Sequence, residues 1–415
     1  MKVSVIGLGY VGLPTAAVLS ERGHDVLGVD LNKEIVDKVN RGEIHIVEPG
    51  LESSVKNSVE KGKLRASQAH EVSEVYIVAV PTPLDNQEKP DTSFIKAAIS
   101  DLSAILKKGD LIILESTSPI GTTELIRDWI LNDRKDLKLP SLGQETDSDI
   151  NIAHCPERVL PGNIMHEIIF NDRIIGGISE KCSLKTKSFY QSFTKGECLQ
   201  TNSRLAEFSK LAENAFRDVN IAFSNELSMI SEEVGVNVWE LIKLANKHPR
   251  VNILRPGPGV GGHCIAVDPL FIADSSPSKT NLIKAARNVN KSKPKFIMEK
   301  LKKLINSQKR PIDELSISIF GLSYKADIDD LRESPALDLA LEISNMEFMK
   351  CIVIEPNLVD IPDNFGSRIL FNEDIESSLS SDIVIFLVAH KEFLHIKKLD
   401  LNYINIIDAC GLLEG

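Results

Sequence analysis

The chain has 415 residues, with 59 acidic against 48 basic side chains and a formal net charge of −11 when the histidines are neutral. This length allows two or three domains with their own cores. The acidic balance argues against a general binder of nucleic acid or of anionic membranes, so an anionic ligand would need a local basic pocket.

The six cysteines follow no C-x-x-C spacing and no small-domain framework. Such a pattern is typical of a reducing compartment, so we expect free thiols, a cytoplasmic location and no metal site. Residues 1–20 superficially resemble a signal peptide, because a lysine precedes an apolar run. The glycine spacing of these residues is better explained by the nucleotide-binding turn described next.

The first 30 residues predict a dinucleotide-binding unit. The sequence G-L-G-Y-V-G at 7–12 stands between a β-branched run over 3–6 and a helical stretch over 13–22, and a second strand over 25–29 ends at Asp30. The order of strand, glycine-rich turn, helix, strand and acid makes the motif specific.

Each residue of this motif has an expected task. Gly7 makes the tight turn, Gly9 lets the pyrophosphate approach, and Gly12 lets the helix pack on the strand. The pyrophosphate is expected at the helix N-terminus. Because Asp30 would bind a ribose hydroxyl and disfavour a 2′-phosphate, NAD is the expected cofactor.

Three later strand-like runs, over 75–80, 111–114 and 151–154, are each followed by a polar loop that could line a nucleotide cleft. These loops contain Thr82, Thr117, Glu157 and Arg158.

From 203 to about 235 the apolar period becomes helical. Lys210, Asn214 and Arg217 stand at i, i+4 and i+7 and therefore share one face. The plain alternative is a solvated stripe. A helix of more than 30 residues with wide apolar coverage is also a candidate subunit contact, so we expect a homodimer or homotetramer.

The segment R-P-G-P-G-V-G-G-H-C-I-A-V-D at 255–268 excludes a helix or central strand through 256–262. Backbone amides can approach a ligand closely there. Cys264 can act as a nucleophile on this loop if nearby groups favour its thiolate. The alternative is a structural cysteine in a tight turn.

The opening pattern returns near the C-terminus. A strand over 316–320 leads into G-L-S-Y-K at 321–325, and a strand over 350–354 ends at Glu355, as the second strand ends at Asp30. We interpret this as a second nucleotide fold with degenerate glycines, in which Lys325 and Arg332 could contact a phosphate. The fold class is therefore α/β, with two doubly wound Rossmann-like domains joined by a long central helix.

Together, these features resemble the UDP-glucose/GDP-mannose dehydrogenase family over nearly the whole chain. The motifs that carry the resemblance are G-L-G-Y-V-G-L-P at 7–14, S-T-S-P-I-G-T-T at 116–123, the K-x-x-x-N of Lys210 and Asn214, G-P-G-V-G-G-H-C at 257–264 and K-A-D-I-D-D-L-R-E-S-P at 325–335. The resemblance implies an NAD-binding Rossmann domain over 1–200, a central helical, dimerisation and catalytic-loop region over 201–300, and a UDP-sugar-binding Rossmann-like domain over 301–415.

The family oxidises the C6 alcohol of a nucleotide sugar to a carboxylate with two NAD+. Within the family, the segments 154–163, 216–223, 248–254 and 256–269 are similar to those of members that act on UDP-N-acetyl-D-mannosamine. Val267 stands where enzymes acting on UDP-glucose typically have a lysine, which argues against UDP-glucose as the substrate. UDP-N-acetylglucosamine or another UDP-sugar is the alternative.

The resemblance also implies roles for individual residues. Lys210 would assist proton transfer or stabilise the developing alkoxide, and the two roles stay open. Cys264 would attack the aldehyde, and Lys210 and Asn214 would hold the oxyanion of the thiohemiacetal. A thioester follows, and Asp268 or Glu157 would position the water that hydrolyses it.

Further residues are expected to bind ligands by the same resemblance. Those expected to contact the UDP-sugar, beside Lys210 and Asn214, are Arg158, Val159, Arg217, His248, Arg250, Gly261, Tyr324 and Lys325. Those expected to contact NAD, beside the glycines, are Tyr10, Val11, Asp30, Thr82, Thr117 and Arg332.

Two other functions compete with this reading. One is a two-electron hydroxyacid-type dehydrogenase that uses Lys210 and Asn214 and ignores the cysteine. The other is a catalytically silent nucleotide-binding regulator, which would require loss of catalytic positions that the chain retains.

Overall fold

The structure, a computed structural model, describes residues 1–142, 147–366, 369–372, 374–399 and 405–414. It divides into an N-terminal unit, Met1–Glu213 with Leu270–Ser276, and a C-terminal unit, Asn214–Pro269 with Pro277–Gly415. Among the described residues, no helix combines the length and the apolar character that crossing a membrane would require.

Eight strands form the sheet of the N-terminal unit: β1 (Lys2–Ile6), β2 (Asp25–Val29), β3 (Leu64–Ser67), β4 (Val75–Val78), β5 (Leu111–Leu114), β6 (Asn151–His154), β7 (Arg173–Gly177) and β8 (Cys198–Asn202). Their order across the sheet is β3-β2-β1-β4-β5-β6-β7-β8. Neighbouring strands are parallel except β6 and β7, which are antiparallel. The order reverses between β1 and β4, where doubly wound sheets bind their ligands.

The helices of this unit are α1 (Gly12–Glu21), α2 (Lys33–Asn40), α3 (Leu51–Glu60), α4 (Ser93–Ser103), α5 (Thr122–Asp133), α6 (Ile164–Phe170) and α7 (Glu180–Tyr190). The sheet is covered on both faces, because alternate residues of β1 enter different cores. Val3 and Val5 pack in the core that includes α1, whereas Ile6 packs in the core that includes α4 and α5.

Four helices follow along the chain: α8 (Ser203–Val234), α9 (Val238–Ala245), α10 (Asp268–Ser275) and α11 (Asn281–Ser307). The helix predicted from 203 to about 235 is therefore confirmed as α8, which has 32 residues. The division between the units falls inside α8.

The C-terminal unit contains a second, wholly parallel sheet. Its elements are β9 (Ser316–Phe320), α12 (Pro335–Ser344), β10 (Lys350–Ile354), β11 (Ile369–Phe371), α13 (Ile375–Ser378), β12 (Ile383–Phe386) and β13 (Asn405–Asp408), with 3-10 turns at Ile312–Glu314 and Lys391–Lys398. The strand order is β11-β10-β9-β12-β13.

This order repeats β3-β2-β1-β4-β5 of the first sheet, and the repeat extends to individual hydrogen bonds. The N–H of Gly7 donates to the carbonyl of Val29 over 2.8 Å, and the N–H of Gly321 donates to that of Ile354 over 2.8 Å. The two doubly wound domains and the long helix predicted from the sequence are confirmed.

Candidate active site

The glycine-rich turn after β1 leaves room for a ligand at one of its glycines and none at another. A Cβ added at Gly12 would lie 1.8 Å from the carbonyl oxygen of Gly7, so only glycine permits α1 to approach the turn. A Cβ at Gly9 would meet nothing within 4 Å in the described part of the chain. The turn therefore fits the pyrophosphate that the sequence predicts.

The N-terminus of α1 also suits an anion. Val11 precedes the helix and provides no side-chain cap, so the first amides can bind a ligand. Asp30 lies half-buried after β2, with Oδ2 accepting the N–H of Leu8 and Oδ1 accepting that of Asn32, both at 2.9 Å. Its oxygens retain further lone pairs for ribose hydroxyls. Tyr10 is half-buried in the same turn.

The loops after β4 and β5 are fastened to each other. The hydroxyl of Thr82 donates to the carbonyl of Thr117 over 2.5 Å, and the hydroxyl of Ser116 donates to that of Val80 over 2.7 Å. The two predicted NAD contacts, Thr82 and Thr117, are therefore brought together.

Glu207 is a structural residue that sequence reasoning missed. Its carboxylate accepts the N–H groups of Gly121 at 2.6 Å and Thr123 at 2.8 Å, which caps the N-terminus of α5. Burial raises the pKa of Glu207. The cap fixes the S-T-S-P-I-G-T-T segment against the start of α8.

Glu157 is buried and held from two sides. Its Oε2 accepts from Nη1 of Arg173 at 2.9 Å, and its Oε1 accepts the N–H of Arg158 at 2.6 Å. Tyr190 packs its ring under the Arg173 guanidinium, 5.4 Å from the ring centroid, and donates its hydroxyl to Glu115 over 2.5 Å. Burial and the charge of Glu157 raise the pKa of Glu115 to about 7.

The predicted substrate residues that follow Glu157 have partners within the N-terminal unit. Arg158 forms an ion pair with Glu213, with 2.6 Å between Nη2 and Oε1. Val159 packs against the core that contains α1. Lys210 is half-buried on α8 in the same unit.

Cys264 lies in a turn that runs directly into α10. Its carbonyl accepts the N–H of Val267 at 3.1 Å and that of Asp268 at 2.9 Å. Asn214 donates Nδ2 to Oδ2 of Asp268 over 2.5 Å. Three of the predicted catalytic residues, Cys264, Asp268 and Asn214, are thus brought together in the C-terminal unit.

Three of the other cysteines lie in surroundings that disfavour their thiolates. Burial raises the pKa of Cys155 and of Cys351 to about 12, and raises that of Cys410 well above its ordinary value. These three thiols stay protonated at neutral pH and are poor nucleophiles. Cys264 is half-buried.

The glycines before Cys264 allow close packing on the loop after β9. A Cβ at Gly261 would lie 2.5 Å from the carbonyl oxygen of Glu333 and 2.6 Å from Cβ of Tyr324. The N–H of Gly262 donates to the carbonyl of Arg332 over 3.1 Å. The loop of Gly261 therefore packs on the loop of Tyr324. Both residues are predicted to contact the UDP-sugar.

A chain of buried amides, also missed by sequence reasoning, anchors the start of this loop. The N–H of Gly257 donates to Oδ1 of Asn225, and Nδ2 of Asn225 donates to Oδ1 of Asn290, both over 2.9 Å. Nδ2 of Asn290 donates to Asp218 over 2.8 Å, and Asp218 forms a 2.6 Å ion pair with Arg287. The loop that carries Cys264 is thereby tied to α8 and α11.

The remaining predicted residues are exposed in the C-terminal unit. They are Arg217 on α8, His248 and Arg250 after α9, and Lys325 and Arg332 after β9. Arg332 forms an ion pair with Asp330 at 2.6 Å.

Known proteins are similar to this chain over its whole length. The NAD binding domain of the UDP-glucose/GDP-mannose dehydrogenase family matches residues 1–194, its central domain matches 204–292 and its UDP binding domain matches 318–414.

Individual relatives agree with this match. The NDP-N-acetyl-D-galactosaminuronic acid dehydrogenase of Ralstonia nicotianae is 50% identical over 414 residues, which are 99% of this chain and 96% of the relative. The UDP-N-acetyl-D-mannosamine dehydrogenase of Yersinia pestis is 49% identical over 415 residues, 99% of this chain and 98% of the relative. A solved structure of the UDP-D-ManNAc dehydrogenase from Pyrococcus horikoshii, 36% identical, superposes with a TM-score of 0.87 over 100% of this chain and 96% of that one. The chain therefore belongs to the UDP-glucose/GDP-mannose dehydrogenase family and is an NAD-dependent nucleotide-sugar dehydrogenase.

Proposed function

We propose that the protein is a UDP-N-acetyl-D-mannosamine 6-dehydrogenase that oxidises the sugar C6 alcohol to the carboxylate. The similarity at 49% identity to a dehydrogenase of that name carries the proposal. The hydrogen bonds that join the Cys264 backbone to Asp268, and Asp268 to Asn214, support it, because covalent oxidation of an aldehyde needs a cysteine in a polar site.

The first oxidation converts the alcohol to an aldehyde. Bound NAD+ supplies the chemistry of hydride acceptance, and the residues that fit it are the turn around Gly9, the N-terminus of α1 and Asp30. Lys210 assists by accepting the hydroxyl proton or by stabilising the developing alkoxide.

The second oxidation uses the thiol. The Cys264 thiolate adds to the aldehyde carbon, and Lys210 and Asn214 stabilise the resulting oxyanion. Loss of a second hydride leaves a thioester on Cys264. Water then cleaves the C–S bond, which releases the carboxylate and returns the thiolate. The sugar alcohol, two NAD+ and one water therefore give the carboxylate anion, two NADH and three protons.

Either Asp268 or Glu157 is proposed to position the hydrolytic water. Asp268 accepts Nδ2 of Asn214, and this hydrogen bond orients its carboxylate. Glu157 forms an ion pair with Arg173, which orients the carboxylate that would position the water. The Arg158, Arg217, His248, Arg250, Tyr324 and Lys325 side chains are proposed to bind the UDP-sugar, with Val159 and Gly261, and Tyr10, Thr82, Thr117 and Arg332 to bind NAD.

A second candidate substrate is another UDP-aminosugar. The relative at 50% identity is named for N-acetylgalactosaminuronic acid, which differs from the N-acetylmannosamine product in sugar configuration. Both candidate substrates would undergo the same oxidation at C6. They differ in the configuration of the sugar ring, which the surrounding pocket would have to distinguish.

We further propose that the chain forms a homodimer or a homotetramer built from such dimers, in which α8 contributes to the dimer interface. Phe216, Phe223 and Ile230 recur every seven residues along α8, and 72%, 51% and 48% of their respective surfaces are exposed. Large apolar side chains that are exposed at a seven-residue spacing are typical of a helix that packs on a partner. These three residues are called the apolar heptad of α8. All six cysteines lie in the described part of the chain and none forms a disulfide bond, which fits the cytoplasmic setting that we propose.

A panel of UDP-sugars, with NADH counted per molecule of sugar consumed, tests the proposal. Two NADH per UDP-N-acetyl-D-mannosamine and a carboxylate product are expected. Turnover of UDP-N-acetylglucosamine or UDP-glucose but not UDP-N-acetyl-D-mannosamine would overturn the substrate. One NADH per sugar would instead favour a two-electron dehydrogenase that ignores the cysteine.

A further inference from the structure

The acid that ends β10 has a different environment from the acid that ends β2, although the two occupy equivalent positions. Asp30 is half-buried and accepts the N–H of Leu8. Glu355 has no exposed surface and accepts the N–H groups of Leu322 at 2.7 Å and Ser323 at 3.0 Å through one oxygen. The first carboxylate can meet a ribose, whereas the second is sealed inside the fold.

His390 closes the second position. Its side chain is fully buried, with 3.0 Å between Nε2 and Oε2 of Glu355. Hydrogen bonding by its other nitrogen assigns the tautomer, because Nδ1 accepts the backbone N–H of Asp327 at 2.9 Å and a backbone N–H can only donate. Nδ1 is therefore unprotonated, and Nε2 carries the hydrogen that it donates to Glu355. Asn357 agrees with this assignment, since its Nδ2 lies 3.0 Å from Nδ1.

The hydrogen bond to Nδ1 fixes the loop at 323–327. Asp327 has a φ of +64°, a left-handed conformation that a non-glycine residue adopts only when its surroundings hold it. Its Oδ1 accepts the N–H of Lys391 at 2.8 Å, and at the other end of the loop the hydroxyl of Ser323 donates to the carbonyl of Lys325 over 2.7 Å. Hydrogen bonds therefore restrain the loop near both of its ends. At the Asp327 end, one of them is accepted by the buried ring of His390.

This loop carries Tyr324 and Lys325 and reaches the loop that bears the thiol. A Cβ added at Gly262 would lie 2.9 Å from Cε2 of Tyr324, so the ring lies flush against the residue two before Cys264. A shift of the 323–327 loop would move both Tyr324 and the surface on which the cysteine loop packs.

Metal binding is the competing reading of this cluster. Asp327, His390 and Glu392 place one candidate ligand atom each within 4.8 Å of one another. A metal would need the Nδ1 or Nε2 lone pair of His390, but Nδ1 already accepts the N–H of Asp327 and Nε2 donates to Glu355. Both ring nitrogens of His390 are therefore already hydrogen-bonded within the protein.

We propose that His390 is a positioning residue for nucleotide-sugar binding: its neutral Nε2–H form seals Glu355 and holds the 323–327 loop so that Tyr324 and Lys325 meet the nucleoside diphosphate of the substrate. This rests on the proposed function, because it takes those two residues as UDP-sugar contacts.

Two substitutions separate the two hydrogen bonds of the ring. In His390→Asn, Oδ1 occupies the place of Nδ1 and can still accept the N–H of Asp327, while the bond to Glu355 is lost. In His390→Gln, Nε2 occupies the place of the ring Nε2 and can still donate to Glu355, while the bond to Asp327 is lost. His390→Asn removes the hydrogen bond to Glu355, and His390→Gln removes the acceptor of the Asp327 N–H and of Nδ2 of Asn357. Both variants are therefore expected to lose some thermal stability.

The measurements are the Kd for UDP by calorimetry, the KM for the UDP-sugar and for NAD+, and kcat. We expect His390→Gln to weaken UDP binding and to raise the UDP-sugar KM by about tenfold, which corresponds to one hydrogen bond of about 1.4 kcal/mol. His390→Asn is expected to stay within about twofold of the wild type in both quantities. The KM for NAD+ should be unchanged in both variants. Equal UDP affinity in His390→Gln and the wild type, or equal losses in both variants, would overturn the proposal.

Hydrogen exchange of the wild-type chain provides a second test that needs no substitution. A slowly exchanging amide at Asp327 is expected, and an amide that exchanges as fast as an open loop contradicts the proposal even if a variant fails to fold. The two proposals can fail separately. UDP binding that follows the expected pattern without turnover of any UDP-aminosugar overturns the function alone, and turnover with unaltered UDP binding in His390→Gln overturns the role of His390 alone.

Discussion

Arg173 and Glu157 form an ion pair in the interior of the N-terminal unit, with 2.9 Å between Nη1 and Oε2 and with 2% and 8% of the two side chains exposed. The pair joins the loop after β6 to the first residue of β7. Tyr190 packs on Arg173 and donates a hydrogen bond to Glu115. The buried guanidinium of Arg173 thus orients the carboxylate of Glu157, which is proposed to position water. Since removing one partner leaves a buried charge unpaired, the pair should be far more sensitive to single than to double substitution.

Replacing Arg173 by Met should destabilise the protein by about 3–5 kcal/mol, because Glu157 would stay buried without its cation. The double variant Arg173→Met with Glu157→Gln should recover a large part of this loss. Urea unfolding of the wild type, both single variants and the double variant measures the coupling. Losses that simply add would show that the two side chains do not interact.

Glu115 should make stability depend on pH. Its pKa in the folded protein is raised to about 7, so the folded state keeps a proton that the unfolded state releases near pH 4.5. The ionised form of Glu115 is costly to bury, so the free energy of unfolding falls as the pH rises from about 4.5 to about 7. Above about pH 7 the loss is complete and amounts to roughly 3 kcal/mol.

Glu115→Gln should remove that loss, because the amide does not titrate. Unfolding free energies at pH 5 and pH 8 should therefore differ less in Glu115→Gln than in the wild type. Glu60→Gln, at an exposed site at the end of α3 in the same unit, is the matched control and should leave the difference unchanged. Identical pH profiles for wild type and Glu115→Gln would contradict the assignment.

The dinucleotide turn was predictable because its determinants are local. Gly12 and Asp30 lie within 25 residues of Gly7, and each answers to a steric or hydrogen-bonding need of one strand–turn–helix unit. The period of α8 was predictable for the same reason, since packing repeats along a single helix.

The supporting residues could not be read in this way. The roles of Arg173 and Tyr190 are visible only once the fold brings them to Glu157 and Glu115. From the sequence alone, an arginine in a strand is expected to lie at an exposed edge. Asn225 likewise resembles any polar residue of a long helix until Gly257 is seen to donate to it. Such contacts join segments far apart in the chain, which no single-sequence periodicity reports.

Asn225→Ala should loosen the loop that carries Cys264. Gly257 would lose the acceptor of its N–H, and Asn290 would lose a donor, so a loss of about 1–3 kcal/mol is expected. Alkylation of Cys264 by iodoacetamide should become faster. Asn220→Ala is the matched control, because Asn220 lies on the same helix and bonds only to the carbonyl of Phe216 one turn away among the described contacts. Unchanged alkylation in Asn225→Ala would show that the amide chain does not restrain the loop.

Charge introduced on the apolar heptad of α8 should break the proposed dimer. Phe216→Asp with Phe223→Asp places four carboxylates in one symmetric helix pair, where burial and like-charge repulsion oppose association. Sedimentation velocity should show a species of lower mass than the wild type. Glu226→Gln, an exposed position on the same helix, should sediment as the wild type does. A double variant that remains a dimer would place the interface elsewhere.

Cys264→Ala should stop the reaction between its two oxidations. Without the thiol no thiohemiacetal forms, so the aldehyde cannot pass its second hydride through the covalent route, and carboxylate formation should fall by a factor of about 10³ or more. Mass spectrometry of the product and the ratio of NADH to sugar measure this directly. Cys410→Ala, which removes a thiol whose pKa lies well above its ordinary value, should leave the ratio at two. Undiminished carboxylate formation by Cys264→Ala would remove the covalent step from the mechanism, and the grouping of Cys264 with Asp268 and Asn214 would then need another explanation.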